Sequence, residues 1–126
     1  MAQNTPATPP EPLSEVDPVW HRIRTEAEAA IVDEPLMGGL IHASILHHSS
    51  FAHALAYRIS MKLASREMSE QILREILDGA YSSEPSLTQA ARADLVAIFD
   101  RDPACHRLMQ PLLFFKGFQA VQAYRL

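Results

Sequence analysis

The sequence has few of the features that define several common protein classes. Its one cysteine, Cys105, cannot form a disulfide within the chain, which is typical of a reducing compartment. Its four glycines form no G-x-G-x-x-G phosphate-binding loop. No apolar run approaches a membrane span, and the N-terminus lacks the basic and apolar regions of a signal peptide. We therefore expect a cytoplasmic protein with no membrane partner.

Basic charge is also scarce. The 126 residues include 11 basic and 15 acidic side chains, a net charge of −4. This balance gives no attraction to nucleic acid or to anionic lipid, so we expect neither as a partner. The apolar fraction of 48% is ordinary for a globular protein, and the length suits one domain with a real core.

Proline and acidic residues divide the chain. Residues 1–16 carry four prolines among polar residues, which predicts a disordered leader. From residue 17 to 126, apolar residues recur every three or four positions between helix-start signals such as Asp17-Pro18, and no strand-like alternation occurs. The fold class is therefore predicted to be all-α, a bundle of about six to eight helices. The predicted helices cover 18–32, 35–47, 51–64, 70–81 and 85–99, a short one beginning at 102–103, and 111–124.

The pattern also predicts which helix faces are buried. On the first helix, Glu26 and Glu28 are expected on the solvent side. The second helix contains Gly38-Gly39, which costs about 1 kcal/mol per glycine relative to alanine and suggests close packing, an oligomer contact or a kink. Buried positions are expected on the second and fourth helices, namely Leu36, Leu40, Ala43, Ile72, Leu73, Ile76, Leu77 and Ala80.

The histidines and the cysteine offer little chemistry. Four of the histidines form a cluster in the sequence, with spacings of five, one and five residues around a helix break. Metal ligands on one helix face need spacings of three or four residues, so we expect surface histidines and no metal. Cys105 and His106 are adjacent and diverge by about 100° on a helix, so Cys105 is expected to be a small buried apolar residue rather than a nucleophile. The cluster comprises His42, His47, His48 and His53.

Asp102 is the sharpest candidate for ligand contact. Asp102-Pro103 predicts the start of the short sixth helix, with the carboxylate accepting backbone N–H groups that favour its ionised form. A second oxygen could then hold a ligand ammonium or hydroxyl group. A plain capping role remains the commoner use of such a dipeptide. No complete catalytic set is present, so the residues alone indicate a helical interaction domain or a domain that flanks a ligand.

The end of the chain resembles a known family. The residues Arg101-Asp102-Pro103-Ala104, then Pro111-Leu112-Leu113, then the run from Lys116 to Arg125 resemble the N-terminal helical domain of bacterial serine O-acetyltransferase. Asp17-Pro18-Val19-Trp20 fits the same pattern. The resemblance covers residues 17–126. It implies an acyltransferase of cysteine biosynthesis that moves an acetyl group from acetyl-CoA to L-serine.

The resemblance also implies where the chemistry lies. Asp102 and Pro103 are implied to contact serine, and also the inhibitor L-cysteine. The general-base histidine and the acetyl-CoA site belong to a left-handed β-helix of hexapeptide repeats, which these residues do not contain. We therefore assign no catalytic, cofactor or metal residue here, and we expect the chain alone to be inactive. The last helix lacks a stop signal and is expected to lead into that β-helix domain.

Partners follow from the same resemblance. The family assembles as a dimer of trimers through its helical domain, and it binds O-acetylserine sulfhydrylase through a C-terminal tail that these residues do not include. The alternative that we keep is a stand-alone helical oligomerisation module without enzymatic activity.

Overall fold

A computed structural model describes residues 17–126, and the predicted leader at 1–16 lies outside the described residues. Within residues 17–126 there is no strand, so the all-α prediction is confirmed. A 3-10 helix, Pro35–Met37, precedes the second α-helix, and a π-helix, His42–Leu46, follows it. The α-helices are α1 Pro18–Asp33, α2 Gly38–Ile41, α3 Phe51–Leu63, α4 Glu70–Ser83, α5 Pro85–Arg101, α6 Met109–Phe114 and α7 Lys116–Arg125.

The helix starts follow the sequence signals. Asp17 Oδ1 accepts the Trp20 N–H at 3.1 Å, while Ser50 and Ser69 cap α3 and α4 in the same way. These caps satisfy N–H groups that have no partner inside the helix. Prolines occupy the first positions of α1 and α5, where a missing N–H costs nothing. The predicted starts of α1, α3, α4 and α5 are therefore confirmed.

Helix α3 lies at the centre of the core. It packs along α4 and also contacts the π-helix, α6 and α7. Its fully buried side chains include Phe51, whose ring centroid lies 6.4 Å from that of Trp20 on α1. Burying each large side chain contributes roughly 1.5–3 kcal/mol. The largest apolar side chains that are fully buried are Ile23, Ile41, Ile45, Phe51, Leu55, Ile59, Leu95 and Leu112.

The segment after α1 is helical, but its predicted face is only partly correct, since Leu40 and Ala43 are half-buried. Leu36 is fully exposed, and the buried residues are Ile41, Ser44 and Ile45. The prediction assumed 3.6 residues per turn, whereas this segment changes from 3-10 to α to π geometry, and each change rotates the buried face. A Cβ atom added at either glycine of the Gly38-Gly39 pair meets nothing within 4 Å, so close packing inside the chain does not explain that pair.

Part of the predicted face of α4 is also wrong. Leu77 is buried as expected, but Ile72 and Ile76 are about half exposed, and Tyr81 is buried instead. The buried residues lie in the last two turns of α4, which packs against both α3 and α5. Periodicity identifies an apolar face, but it does not show whether a neighbouring helix covers that face.

The end of the chain differs most from the prediction. No helix begins at Asp102, because α5 continues to Arg101 and Asp102 is its C-cap. The predicted seventh helix is two helices, α6 and α7, which meet at Phe115 in extended backbone with φ −93° and ψ 103°. The break lets Leu112 on α6 and Phe118 on α7 reach the same core. None of the helices within residues 17–126 has both the length and the apolarity to cross a membrane.

Candidate functional site

Asp102 closes a tight turn at the end of α5. Its backbone N–H donates to Ile98 O at 2.9 Å, and its backbone carbonyl accepts the Cys105 N–H at 2.9 Å. Its carboxylate Oδ1 accepts the Ala104 N–H at 2.9 Å. The expected carboxylate–backbone bond therefore exists, but in a turn rather than at a helix start. Among the described residues, no hydrogen-bond donor contacts Oδ2, so one carboxylate oxygen remains for another partner.

This turn borders a groove between α5 and α7. The α5–α7 groove has a volume of about 610 Å³, and Asp102 lines it together with the apolar side chains of Ile98, Phe118 and Val121. Asp102 and Pro103 also line an adjoining pocket of about 410 Å³ beside Arg101. The structure thus brings the two predicted site residues into one open pocket, and Asp102 belongs to both cavities.

A second carboxylate, Asp94 on α5, also lines the α5–α7 groove. Arg125 Nη1 donates to Asp94 Oδ2 at 2.6 Å, and Gln122 Nε2 donates to the same oxygen at 2.8 Å. Burial raises the pKa of Asp94, but these two hydrogen bonds and the Arg125 charge outweigh it and lower that pKa below its ordinary value. The cluster joins α7 to α5, and the sequence interpretation did not single it out.

Cys105 follows Asp102 in the turn and is buried, as predicted. Its thiol donates to Arg107 O at 3.3 Å. Burial raises the pKa of the thiol, and although the Arg107 hydrogen bond opposes this, the nearby carboxylates of Asp102 and Glu26 reinforce it. A raised pKa disfavours the thiolate, so this cysteine is not activated as a nucleophile.

The groove that borders the clustered histidines shares no lining residue with the α5–α7 groove. His42 and His47 line an open groove of about 680 Å³ with Tyr57 and Arg74. Within residues 17–126, no group of three or more His, Cys, Asp or Glu side chains could hold a metal ion. The surface prediction is confirmed for His42 and His47, which are exposed.

His48 contradicts the surface prediction, because it is buried. Its ring centroid lies 5.0 Å from that of Tyr57, and its Nε2 lies 2.9 Å from Ala43 O. Burial lowers its pKa, although the Ala43 hydrogen bond opposes that shift. The π-helix ends just before His48, and this local geometry is what a 3.6-residue projection misses.

Together, the fold and the site define an all-α domain that presents a carboxylate beside an open groove. The family described as serine acetyltransferase, N-terminal, matches residues 19–123, so this chain belongs to the serine acetyltransferase family through that N-terminal region.

Curated relatives agree with this family. Serine acetyltransferase of Salmonella typhimurium is 39% identical over 115 residues, which are 91% of this chain and 42% of the relative. That of Haemophilus influenzae is 42% identical over 108 residues, or 86% of this chain and 40% of the relative. The chain therefore spans about two-fifths of the length of the relatives that it matches.

Solved structures give the same fold. Serine acetyltransferase of Neisseria gonorrhoeae in complex with serine is 44% identical with a TM-score of 0.81, over 85% of this chain and 44% of the other. That of Brucella abortus in complex with coenzyme A is 41% identical with a TM-score of 0.83, over 90% and 45%. A serine acetyltransferase complex with cysteine is 42% identical with a TM-score of 0.82, over 85% and 44%.

Proposed function

We propose that this chain is the N-terminal helical part of a serine O-acetyltransferase, which transfers the acetyl group of acetyl-CoA to the hydroxyl of L-serine. The product, O-acetyl-L-serine, serves cysteine biosynthesis. The proposal is supported by the family match over residues 19–123 and by similar structures in complex with serine and with coenzyme A. The chemistry itself is assigned to a hexapeptide-repeat β-helix that follows α7, with a histidine general base.

The observation that carries the proposal is the geometry of Asp102. The Ala104 N–H holds one carboxylate oxygen at 2.9 Å, and the carboxylate lines the α5–α7 groove. An ionised carboxylate suits the ammonium group of an amino acid, because the ion pair is also a charge-assisted hydrogen bond. We assign Asp102 to that contact with L-serine, with Pro103 lining the adjoining pocket. L-cysteine carries the same ammonium group and would use the same contact as an inhibitor.

The proposal places the remaining partners outside this region or on its surface. Half-exposed apolar side chains such as Ile72 and Ile76 favour self-association, which we assign to a dimer of trimers. O-acetylserine sulfhydrylase would bind a C-terminal tail of the complete enzyme. The single buried cysteine suits a cytoplasmic location. The same apolar surface is the observation that favours the second candidate, a helical oligomerisation module without activity.

A chimera tests the proposal. Residues 17–126 replace the matching segment of the Haemophilus influenzae serine acetyltransferase, and serine-dependent thiol release from acetyl-CoA is measured. We expect activity from the chimera and none from the 126-residue chain alone, since the chain contributes the substrate-flanking carboxylate but no general base. Coenzyme A binding by the chimera serves as the folding control.

Two outcomes would overturn the proposal. One is a chimera that binds coenzyme A normally but releases no thiol when serine is added. The other is turnover well above background by the 126-residue chain, which would contradict the assignment of the chemistry to the β-helix domain. A chain that only self-associates, beside an inactive but folded chimera, would instead support the oligomerisation module.

A further inference from the structure

The turn that carries Asp102 belongs to a loop that is flanked on both sides by contacts with side chains of α1. We call residues 102–108, which join α5 to α6, the Asp102 loop. After the loop, Glu26 Oε1 on α1 accepts the Met109 N–H at 3.1 Å. This bond satisfies one of the N–H groups that α6 leaves without a partner at its start. A side chain from another helix therefore caps α6.

The other oxygen of the same carboxylate reaches the near end of the loop. Glu26 Oε2 accepts a hydrogen bond from Arg22 Nε at 3.1 Å. The Arg22 guanidinium in turn lies 4.7 Å from the centroid of the Phe99 ring, which is three residues before Asp102. Glu26 thus contacts the first residue after the loop and, through Arg22, the last turn of α5 before the loop.

The burial of Glu26 is unusual for its place on α1. The sequence pattern puts Glu26 and Glu28 on the solvent side, but the side chain of Glu26 is only 13% exposed. Burying a carboxylate is costly unless its oxygens receive hydrogen bonds, and both oxygens of Glu26 do. A solvent-facing pair four residues apart on one helix would need neither the burial nor the contact with Met109.

The second half of the loop is fixed as well. Gln110 Oε1 accepts the N–H groups of His106 at 2.5 Å and Arg107 at 2.9 Å. Arg107 Nη2 then donates to Asp33 Oδ2, at the last residue of α1, at 3.0 Å. Helix α1 therefore contacts the loop region at two levels, about two turns apart.

We infer that Glu26 is a positioning residue for Asp102. By fixing where α6 begins relative to the end of α5, it sets where the Asp102 carboxylate lies in the pocket. This inference rests on the proposed function for its consequence in catalysis. Losing the contact would let the loop shift, and an ammonium–carboxylate contact is sensitive to shifts of about 1 Å. Acetyl-CoA, which the proposal assigns to another domain, would be unaffected.

The kinetic test uses the chimera with three variants. We expect Glu26→Ala to raise the serine KM about tenfold, with kcat within about twofold and the acetyl-CoA KM unchanged. Glu26→Gln keeps an oxygen that can accept the Met109 N–H, so it should restore most of the serine affinity. Glu28→Ala, on the same helix but exposed, is the matched control and should behave as the parent. A fall in kcat together with a rise in the KM values of both substrates would show a merely structural role and overturn the inference.

A second measurement is independent of the proposed function. In the 126-residue chain, NMR hydrogen exchange of the Ala104 amide reports whether the bond to Asp102 Oδ1 persists. Glu26→Ala should accelerate this exchange about tenfold, while amides within α3 and those of Glu28→Ala stay unchanged. Unchanged Ala104 exchange would overturn the positioning inference and leave the function intact. Accelerated exchange in the 126-residue chain, together with a chimera whose activity does not depend on serine, would instead refute the proposed function.

Discussion

The Asp17 carboxylate caps α1 and also pairs with Arg92 on α5, and mutations can separate the contributions of these two interactions to stability. Its Oδ1 caps α1 by accepting the Trp20 N–H at 3.1 Å. The same carboxylate also accepts two hydrogen bonds from Arg92 on α5, from Nε at 3.2 Å and from Nη2 at 2.7 Å. The side chains of Arg92 and Asp17 are 29% and 19% exposed, so solvent weakens this pair but does not cancel it.

The expected magnitudes follow from these contacts. Losing an N-cap costs about 1 kcal/mol, and losing a partly buried bidentate pair about 1–2 kcal/mol. Asp17→Ala removes both and should lower the free energy of unfolding by about 2–3 kcal/mol. Asp17→Asn keeps a good cap and loses the charge, so it should cost about 1–2 kcal/mol. Ser69→Ala removes an exposed cap alone and should cost about 1 kcal/mol.

Urea denaturation followed by circular dichroism measures these differences, with the m-value expected to stay constant. A double-mutant cycle of Asp17→Asn with Arg92→Gln isolates the pair, because Arg92 also stacks on the Phe51 ring at 5.2 Å. We expect a coupling of about 1 kcal/mol between the two sites. If Asp17→Asn is as stable as the parent and the coupling is zero, the ion pair contributes nothing and the reasoning fails.

Two further predictions concern the core and its buried histidine. Leu55→Ala should lower the free energy of unfolding by about 2–5 kcal/mol, because Leu55 is fully buried. Leu63→Ala on the same helix should lower it by under about 1 kcal/mol, because Leu63 is half exposed. Equal losses in urea titrations would contradict the assigned core. Burial lowers the pKa of His48 from 6.5, so the unfolded chain binds this proton more readily. The free energy of unfolding should therefore be highest above pH 6.5 and should fall as the pH drops from 6.5 to the pKa of His48 in the folded chain. His48→Gln should flatten that slope, and an unchanged slope would refute the assignment.

The helices that sequence reasoning located well are those with local start signals. In the structure a helix begins directly after each of Asp17, Ser50, Ser69 and Glu84. Asp17, Ser50 and Ser69 each accept an N–H group within three residues, so the physics is contained in the neighbouring sequence. At α5 the local signal is Pro85, because Glu84 makes no side-chain cap bond. The all-α class follows from the same local evidence.

The predictions that failed depend on contacts between distant residues. Asp102-Pro103 has the composition of a helix start, yet α5 runs up to it and the carboxylate closes a turn. Nothing local distinguishes the two, because in both cases the carboxylate accepts a backbone N–H two or three residues on. Likewise, the burial of Glu26 depends on Met109, 83 residues away. Periodicity can place Glu26 on a face of α1 but cannot show which helix arrives there.

The proposal of Asp102 as a site residue rests on the family resemblance rather than on the residues alone. Composition favoured a plain cap, and the structure shows a turn with one carboxylate oxygen bonded to Ala104. The α5–α7 groove beside it depends on the break at Phe115, which the sequence pattern did not reveal. The neighbouring Asp94 cluster is likewise invisible to local patterns, because Asp94 lies 28 residues from Gln122 and 31 from Arg125 in the sequence.

The most direct test of the account replaces the Asp102 charge in the chimera. Asp102→Asn keeps an oxygen for the Ala104 N–H and removes only the charge offered to the serine ammonium, so the serine KM should rise about 10- to 100-fold. The acetyl-CoA KM should not change, and Asp100→Asn, an exposed carboxylate two residues earlier, should behave as the parent. A serine KM that is unchanged in Asp102→Asn would contradict the central claim that this domain supplies the carboxylate that binds serine.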